Sequence, residues 1–447
     1  MTAGGRAHPF EEQPHRTLLA WSLPVLIGFL AGPITDLVDT GFSAALGASS
    51  QAALGIGALV FMTVHWVFNF LGIAAQTEVA HARGAGDPVR AREAATLALA
   101  WSLAAGAVLG VLGFLASEPL AALLQARGAV LEEAVLYLRI RWISLPAILT
   151  TATAAGILRG AADMAGPMRV SIGLNALNVL GDALLVRGAG PLPGLGIAGL
   201  AWATVAAQIA GAVWSLALVR DRIGTSARVP WGGSAGLLRI GRDQFLRTFL
   251  LMAFFWTATG AANRMGEAAG AAWQGIRTFW LTAALLLDAF GVTAQTLVGT
   301  FLGAGRPRMA RRVAAVACLH GLGVGFLLLG LMLLLEDPVR RLLVAPEAWP
   351  LFPEGWRLAA WMQPLAALCF VTDGLHWGSR DFAWLRNAML AASGVGGAAL
   401  LALDAEAPDA FARLWETVVL WLAVRAFFGL VRIWPGLGGA PLRPEGD

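Results

Sequence analysis

Apolar runs of about 20 residues, each long enough to cross a bilayer as a helix, follow one another along almost the whole chain. Short segments rich in Arg, Gly and Pro separate them. Counted by length, twelve spans are expected, at 17–44, 52–80, 94–117, 130–158, 168–187, 195–219, 238–264, 268–301, 310–335, 355–378, 382–402 and 410–432. The polar stretch 220–237 divides them six and six. The expected organisation is therefore a cytoplasmic leader at 1–16, a first lobe at 17–219, a cytoplasmic linker at 220–237, a second lobe at 238–432 and a cytoplasmic tail at 433–447.

The polar punctuation repeats. Gln76 to Pro88 (QTEVAHARGAGDP) matches Gln295 to Pro307 (QTLVGTFLGAGRP) at an offset of 219 residues. The offset holds without a gap through Glu118-Pro119 on Asp337-Pro338 and Trp142 on Trp361. One deleted residue later, Gly156, Gly160 and Asp163 fall on Gly374, Gly378 and Asp381. An even number of helices separates the copies, so both lobes share one orientation and a pseudo-two-fold axis along the membrane normal is expected. This is the plan of parallel-repeat transporters, in which one lobe rocks against the other. The expected fold class is all-α integral membrane, with twelve transmembrane helices in two six-helix lobes.

Against this background a few polar positions stand out. The first span, Ser22 to Ala45 (SLPVLIGFLAGPITDLVDTGFSAA), contains Pro24, Pro33, Asp36 and Asp39. A carboxylate inside a spanning helix costs about 2.5–3.5 kcal/mol on the lenient insertion scale, so these acids should face protein or water. Each proline removes a backbone donor, which makes Pro33 the candidate hinge. In the fifth span Asn175, Asn178 and Asp182 fall at spacings of three, four and seven, on one helical face. At 1.5 Å per residue Asp182 lies about 21 Å, and Asp39 about 33 Å, from the cytoplasmic ends of their helices. Both therefore sit in the outer half and can line one cavity, where two carboxylates repel when both are ionised and can exchange a proton for a cation. Asp39, Asp182, Asn178 and Asp36 form the expected ion-coupling set, with helix-to-helix hydrogen bonding that only holds the bundle together as the plain alternative for the acids and the Asn residues alike. In the second lobe Asp288, Asp373 and Arg277 are the cavity candidates, together with Asn175 of the first. Arg277 either neutralises an acid or snorkels, and Asn69 occupies the position matching Asp288.

Composition narrows the chemistry. The chain has 447 residues, 57% hydrophobic and 13% charged, and its mean hydropathy is +0.68. All 32 Lys-or-Arg positions are Arg. Without Lys there is no Walker A loop and no pyridoxal Schiff base, so the chain itself encodes neither an ATP-driven pump nor that enzyme class. The net charge of +4 sits in short loops, which fits membrane topology better than nucleic-acid binding. Arg83, Arg90, Arg92, Arg159, Arg169, Arg220, Arg222, Arg306 and Arg308 fall in loops on one side, which places both termini in the cytoplasm; Arg340 and Arg341 are exceptions. Cys318 and Cys369 are isolated, so neither a disulfide nor a metal site is expected. His65, His320 and His376 read as packed side chains, and the two Gly-Ala-Gly loops as turns rather than phosphate cradles. Trp66, Trp256, Trp273 and Trp280 read as core, with an aromatic wall for a flat cation as the sharper alternative.

Pro33 with Leu37-Val38-Asp39-Thr40, the Gly-Ala-Gly loops, Leu158-Arg159-Gly160 with Asp163, Asn178 with Asp182, Arg242-Asp243 with Arg247-Thr248, Leu287-Asp288 and Asp373-Gly374 together resemble the multidrug and toxic compound extrusion (MATE) transporters. Within them the chain is similar to the branch named for DNA-damage-inducible protein F. The resemblance implies proton- or sodium-coupled antiport of organic cations, with Asp39, Asn178 and Asp182 as the coupling cluster and Asp373 in the second-lobe cavity. The chain departs from the family pattern at Asp36, where a small residue is usual, at Trp273-Gln274, where an Asn-Gln pair is usual, and at Gln295, often Glu; Gln274 is also counted in the expected cavity set. The expectation is a secondary active multidrug efflux antiporter and not an enzyme, with a sodium-coupled antiporter or a lipid-linked substrate flippase as alternatives. No cofactor is expected beyond a proton or sodium ion. The expected partners are small organic molecules and the bilayer, not nucleic acid. A monomer in a bacterial or archaeal inner membrane is expected.

Overall fold

The computed structural model describes residues 8–189 and 192–443. Among them the chain forms α1 (Pro9–Glu12), α2 (Pro14–Leu46), α3 (Ala48–Phe68), α4 (Phe70–Gly84), α5 (Pro88–Leu115), α6 (Ser117–Leu123), α7 (Gly128–Trp142), α8 (Leu145–Gly160), α9 (Ala165–Leu185) and α10 (Ile197–Arg222). Then follow α11 (Ser234–Arg264), α12 (Glu267–Gly303), α13 (Pro307–Leu334), α14 (Glu336–Leu343), α15 (Phe352–Trp361), α16 (Gln363–Gly378), α17 (Phe382–Leu401) and α18 (Ala410–Ile433). A two-residue ladder pairs Gly188–Ala189 with Leu192–Pro193.

Eight helical stretches are long and apolar enough to cross a membrane, and ten when each of two bent pairs counts as one span. The bent pairs are α7 with α8, at 52°, and α15 with α16, at 47°. α9 and α17, of 21 and 20 residues, complete the expected twelve. The expected span 52–80 begins at Ala48, runs to Gly84 and is interrupted at Asn69, where α3 gives way to α4. α2 runs unbroken through Pro24 and Pro33.

The helices form two compact units. Of the described residues, one contains those within Pro24–Arg83 and Asp87–Gly241, and the other those within Met1–Leu23, Gly84–Gly86 and Arg242–Asp447. Within each, the repeat is rebuilt in atomic detail. In the first unit a Cβ on Gly156 (α8) would lie 2.2 Å from the Gly72 carbonyl oxygen of α4, and one on Gly160 would lie 2.5 Å from that of Gln76. In the second, a Cβ on Gly374 (α16) would lie 2.0 Å from the Gly291 oxygen of α12, and one on Gly378 would lie 2.5 Å from that of Gln295. Only glycine allows this backbone-to-backbone contact. The deleted residue of the repeat falls at the bends themselves: Ile143 and Ser144 join α7 to α8, whereas Met362 alone joins α15 to α16.

Short helices end the third helix of each repeat. α6 carries Glu118-Pro119 and α14 carries Asp337-Pro338, each with an exposed leucine, Leu123 or Leu342. α14 carries Arg340 and Arg341, the two arginines that broke the loop-charge pattern. Arg340 pairs with Asp337 at 2.5 Å and lies over the Trp349 ring at 5.2 Å, so it is neutralised locally.

The segment from His8 to Leu23 packs within the second unit. Phe10 and Leu18 are fully buried in a cluster with Phe301, Val313 and Leu375. Glu11 accepts two 2.7 Å hydrogen bonds from Arg306, and Ser22 donates to Thr293 at 3.1 Å.

Candidate functional site

α2 buries one face at Thr35, Asp39 and Ser43, spaced by four, and leaves Asp36 and Pro33 exposed beside it. The hydroxyls of Thr35 and Ser43 are satisfied by their own helix, at Ala31 and Thr40 carbonyls. Asp39 alone on this face reaches across. Opposite it, α9 buries Asn178 and Asp182, and the Asn178 amide donates to Asp182 Oδ2 at 3.1 Å. The Asp39 and Asp182 carboxyls lie within hydrogen-bonding reach of each other. Each keeps a buried oxygen, Oδ1 in both, with no hydrogen-bond partner among the described residues.

Two residues of α7 complete the site. The Arg141 guanidinium lies 4.6 Å from the Phe61 ring centre and 6.0 Å from that of Tyr137, and its charge acts on Asp36, Asp39 and Asp182. Tyr137 is buried because α3 offers Gly57 beneath it, where a Cβ would lie 2.3 Å from the ring. The first unit therefore holds a cluster of Asp36, Asp39, Tyr137, Arg141, Asn178 and Asp182. Asn175 flanks it, but its amide donates to its own helix at the Ser171 carbonyl, 2.7 Å away.

The second unit is organised differently. Asp373 on α16 is held by Arg247 of α11 and by Arg425 of α18, the latter at 2.8 Å. Both cations are buried, Arg247 over the Trp377 ring and Arg425 over that of Trp421. Asp288 on α12 acts on Arg247 as well. Nearby, Asp243 accepts from Arg386 at 2.6 Å and from Arg242 at 2.9 Å, and Asp381 accepts from Arg432 at 2.6 and 3.2 Å. Carboxylates are thus paired off here, where those of the first unit face each other.

The MatE family profile matches residues 24–184 and 245–400, about seven-tenths of the sequence. The chain belongs to the MatE family. It is 27% identical to Protein DETOXIFICATION 44, chloroplastic, of Arabidopsis thaliana, over 96% of this chain and 85% of that one. It is 27% identical to DNA damage-inducible protein F of Escherichia coli, over 92% and 90%. To a probable multidrug resistance protein NorM of Chromobacterium violaceum it is 26% identical, over 72% and 71%. Among solved structures, a point mutant of the Vibrio cholerae MATE transporter VcmN superposes with a TM-score of 0.86 at 19% identity, covering 96% of this chain and 98% of that one.

The six first-unit residues all lie inside the matched MatE segments, whereas Arg425 and Arg432 lie beyond them. Asp39, Asp182, Asn178 and Asp36 are brought together, and Asp288 and Asp373 share Arg247. Gln274 and Arg277 stand apart on α12, with Asp288 about 16 Å further along the helix axis. Arg277 does not neutralise an acid: it is half-buried, and its guanidinium is 3.5 Å from Gln274 Oε1 and 5.7 Å from the Phe255 ring, which solvate it instead. Trp273 and Trp280 are buried in the second-unit core, while Trp66 and Trp256 are exposed. Sequence reasoning missed Tyr137, Arg141 and Arg425. The signal available was cost, since an arginine inside a spanning run demands a partner, and Tyr137 is the only tyrosine in the sequence.

Proposed function

We propose that this MatE transporter exports amphipathic organic cations by proton-coupled antiport, with Asp39 and Asp182 as the exchanging pair. The observation that carries the reading is the placement of these two buried carboxyls within hydrogen-bonding reach on neighbouring helices of one unit. A proton between them makes one hydrogen bond and removes one charge. Its loss leaves two like charges that attract a cation and that Arg141 and Asn178 must accommodate. Asn178, which already donates to Asp182, changes partners with the proton, and α2 bends at Pro33, where a backbone donor is missing. Alternating access of the two lobes follows from this local change. Each proton entering down the membrane potential supplies about 2.3 kcal/mol per 100 mV.

Asn175, Asp288, Asp373, Gln274 and Arg277 stand along the cargo path in this reading, with Asp373 held in place by its two arginines. The cargo class is supported by the negative first-unit cluster and by the name of the NorM relative. The proposed setting is a bacterial or archaeal inner membrane, with both termini cytoplasmic and the chain a monomer.

The test is flux of ethidium in proteoliposomes under a proton or a sodium gradient imposed separately. A proton gradient should drive ethidium movement, and Asp39→Asn and Asp182→Asn should each abolish the coupling. Movement driven by sodium alone would replace the proton with sodium. Undiminished coupling in Asp39→Asn would remove the carboxyl pair from the mechanism, and no movement under either gradient would favour a lipid-linked cargo.

A further inference from the structure

The first unit contains a cavity of about 350 Å³ that the carboxyl cluster does not use. Its floor is apolar, formed by Leu97 of α5 with Leu237 and Ile240 of α11, and its rim carries Glu78, Arg90 and Glu93. It lies at the other end of the unit from Asp39 and Asp182. Glu93 is in the second turn of α5, on the side where Gly224, after α10, approaches Arg92, and where Arg222 faces Asp163 just before α9. Asp182 lies about 26 Å along α9 from that end.

The rim has one negative charge in excess. Arg90 faces Glu78 at 3.5 Å, and Glu93 has no partner among the described residues. The roof is the connection that follows α10, and it is fastened. Ser226 donates its backbone N–H to Thr96 at 2.8 Å, and Trp101 donates to Ser234 at 3.0 Å while meeting Trp231 edge-on. Gly236, at the start of α11, also lines the cavity, and a Cβ there would meet nothing within 4 Å.

An apolar floor of this size under a rim with one surplus carboxylate matches an organic monocation with an apolar body. We propose that this cavity is a second binding site, which captures amphipathic monocations at the end of the unit opposite the exchanging pair. That the captured cation is then cargo rests on the antiport reading above; the binding itself does not. The Glu93 carboxylate faces the ammonium group, the apolar floor takes the body, and the fastened connection closes over both.

The test is photolabelling of the full-length protein in phosphatidylglycerol nanodiscs with an aryl-azide quaternary ammonium probe, followed by peptide mapping. Label is expected in the peptides that contain Glu93 and Leu237, with protection by excess tetraphenylphosphonium. Glu93→Gln should reduce labelling there by about five- to tenfold, the effect of about 1 kcal/mol. Gly236→Leu adds bulk to the lining at a position where a Cβ meets nothing within 4 Å, and should abolish it. Asp39→Asn should leave it unchanged, even though its gradient-driven flux is lost. Labelling elsewhere only, or labelling unchanged in both Glu93→Gln and Gly236→Leu, overturns the proposal. Protection by added phosphatidylethanolamine would assign the cavity to a lipid ammonium headgroup and overturn it equally. Site-specific labelling without any gradient-driven flux would leave this inference standing and remove the antiport reading instead.

Discussion

Replacing Gly156 by Ala tests the glycine seam that holds α4 to α8. The new Cβ would stand 2.2 Å from the Gly72 carbonyl oxygen and 2.9 Å from its Cα. Ordinary C···O contacts are about 3.3 Å or longer, so the helices must part by about 1 Å. Backbone cannot turn aside as a side chain can, and overpacking of this kind costs about 1–3 kcal/mol. The gain in helix propensity from Gly to Ala, about 1 kcal/mol in water, offsets only part of it. Gly55 on α3 is the matched control, because a Cβ there meets nothing within 4 Å. In thermal unfolding of the detergent-solubilised protein, followed by size exclusion, Gly156→Ala should lower Tm by roughly 2–12 °C relative to Gly55→Ala. Gly374→Ala, whose Cβ would lie 2.0 Å from the Gly291 oxygen, should behave alike in the other unit, and the two losses should add. A Tm for Gly156→Ala equal to that of Gly55→Ala would refute the reasoning.

Other outcomes follow from the ion pairs. Arg425→Met leaves Asp373 with Arg247 alone in a buried setting and should destabilise the second unit by about 3–5 kcal/mol, measured as loss of folded protein on heating; adding Asp373→Asn should recover part of it. The hydrogen bonds from Arg306 hold the Glu11 carboxyl at about 2, below its ordinary 4.5. Because the folded value is the lower one, this stabilisation is complete above about pH 4.5 and disappears as the pH falls towards 2. Hydrogen-exchange protection of the segment from His8 to Leu23, taken relative to the intrinsic rate at each pH, should therefore fall across that acid range in wild type, and should be low at every pH in Arg306→Gln. Glu133 accepts hydrogen bonds from both Ser49 and Ser50 at the start of α3, so Glu133→Ala should raise exchange in the first turns of α3, while leaving α9 unaffected.

Span number, repeat and the Asp39–Asp182 pairing were legible because each rests on residues that lipid or close packing penalises heavily. Gly156 and Gly374 mark the same crossing in both units at the level of sequence alone. The bends were half legible: the run 130–158 is long enough to read as one span, but the one-residue deletion fell where two residues, Ile143 and Ser144, stand against the single Met362. What lay hidden were partnerships between distant positions. Arg425 reads as one charge in a hydrophobic run until α11 and α16 bring Arg247 and Asp373 beside it. Arg277, in contrast, could be read as a partner for an acid or as a snorkelling cation, and its guanidinium lies by its neighbours Gln274 and Phe255.

The placing of the first described residues has a consequence for synthesis. Glu11 binds Arg306, 295 residues later in the chain, and Phe10 and Leu18 bury against α12 and α13. At about 5–20 residues per second, the ribosome needs about 15–60 s to deliver those partners. Through that interval the segment from His8 to Leu23 must wait unpaired while every span of the first unit is made. Nascent chains stalled before Arg306 should leave this segment open to protease, and chains stalled well after it should not. A segment made well before its partners is thus among the last to reach its place.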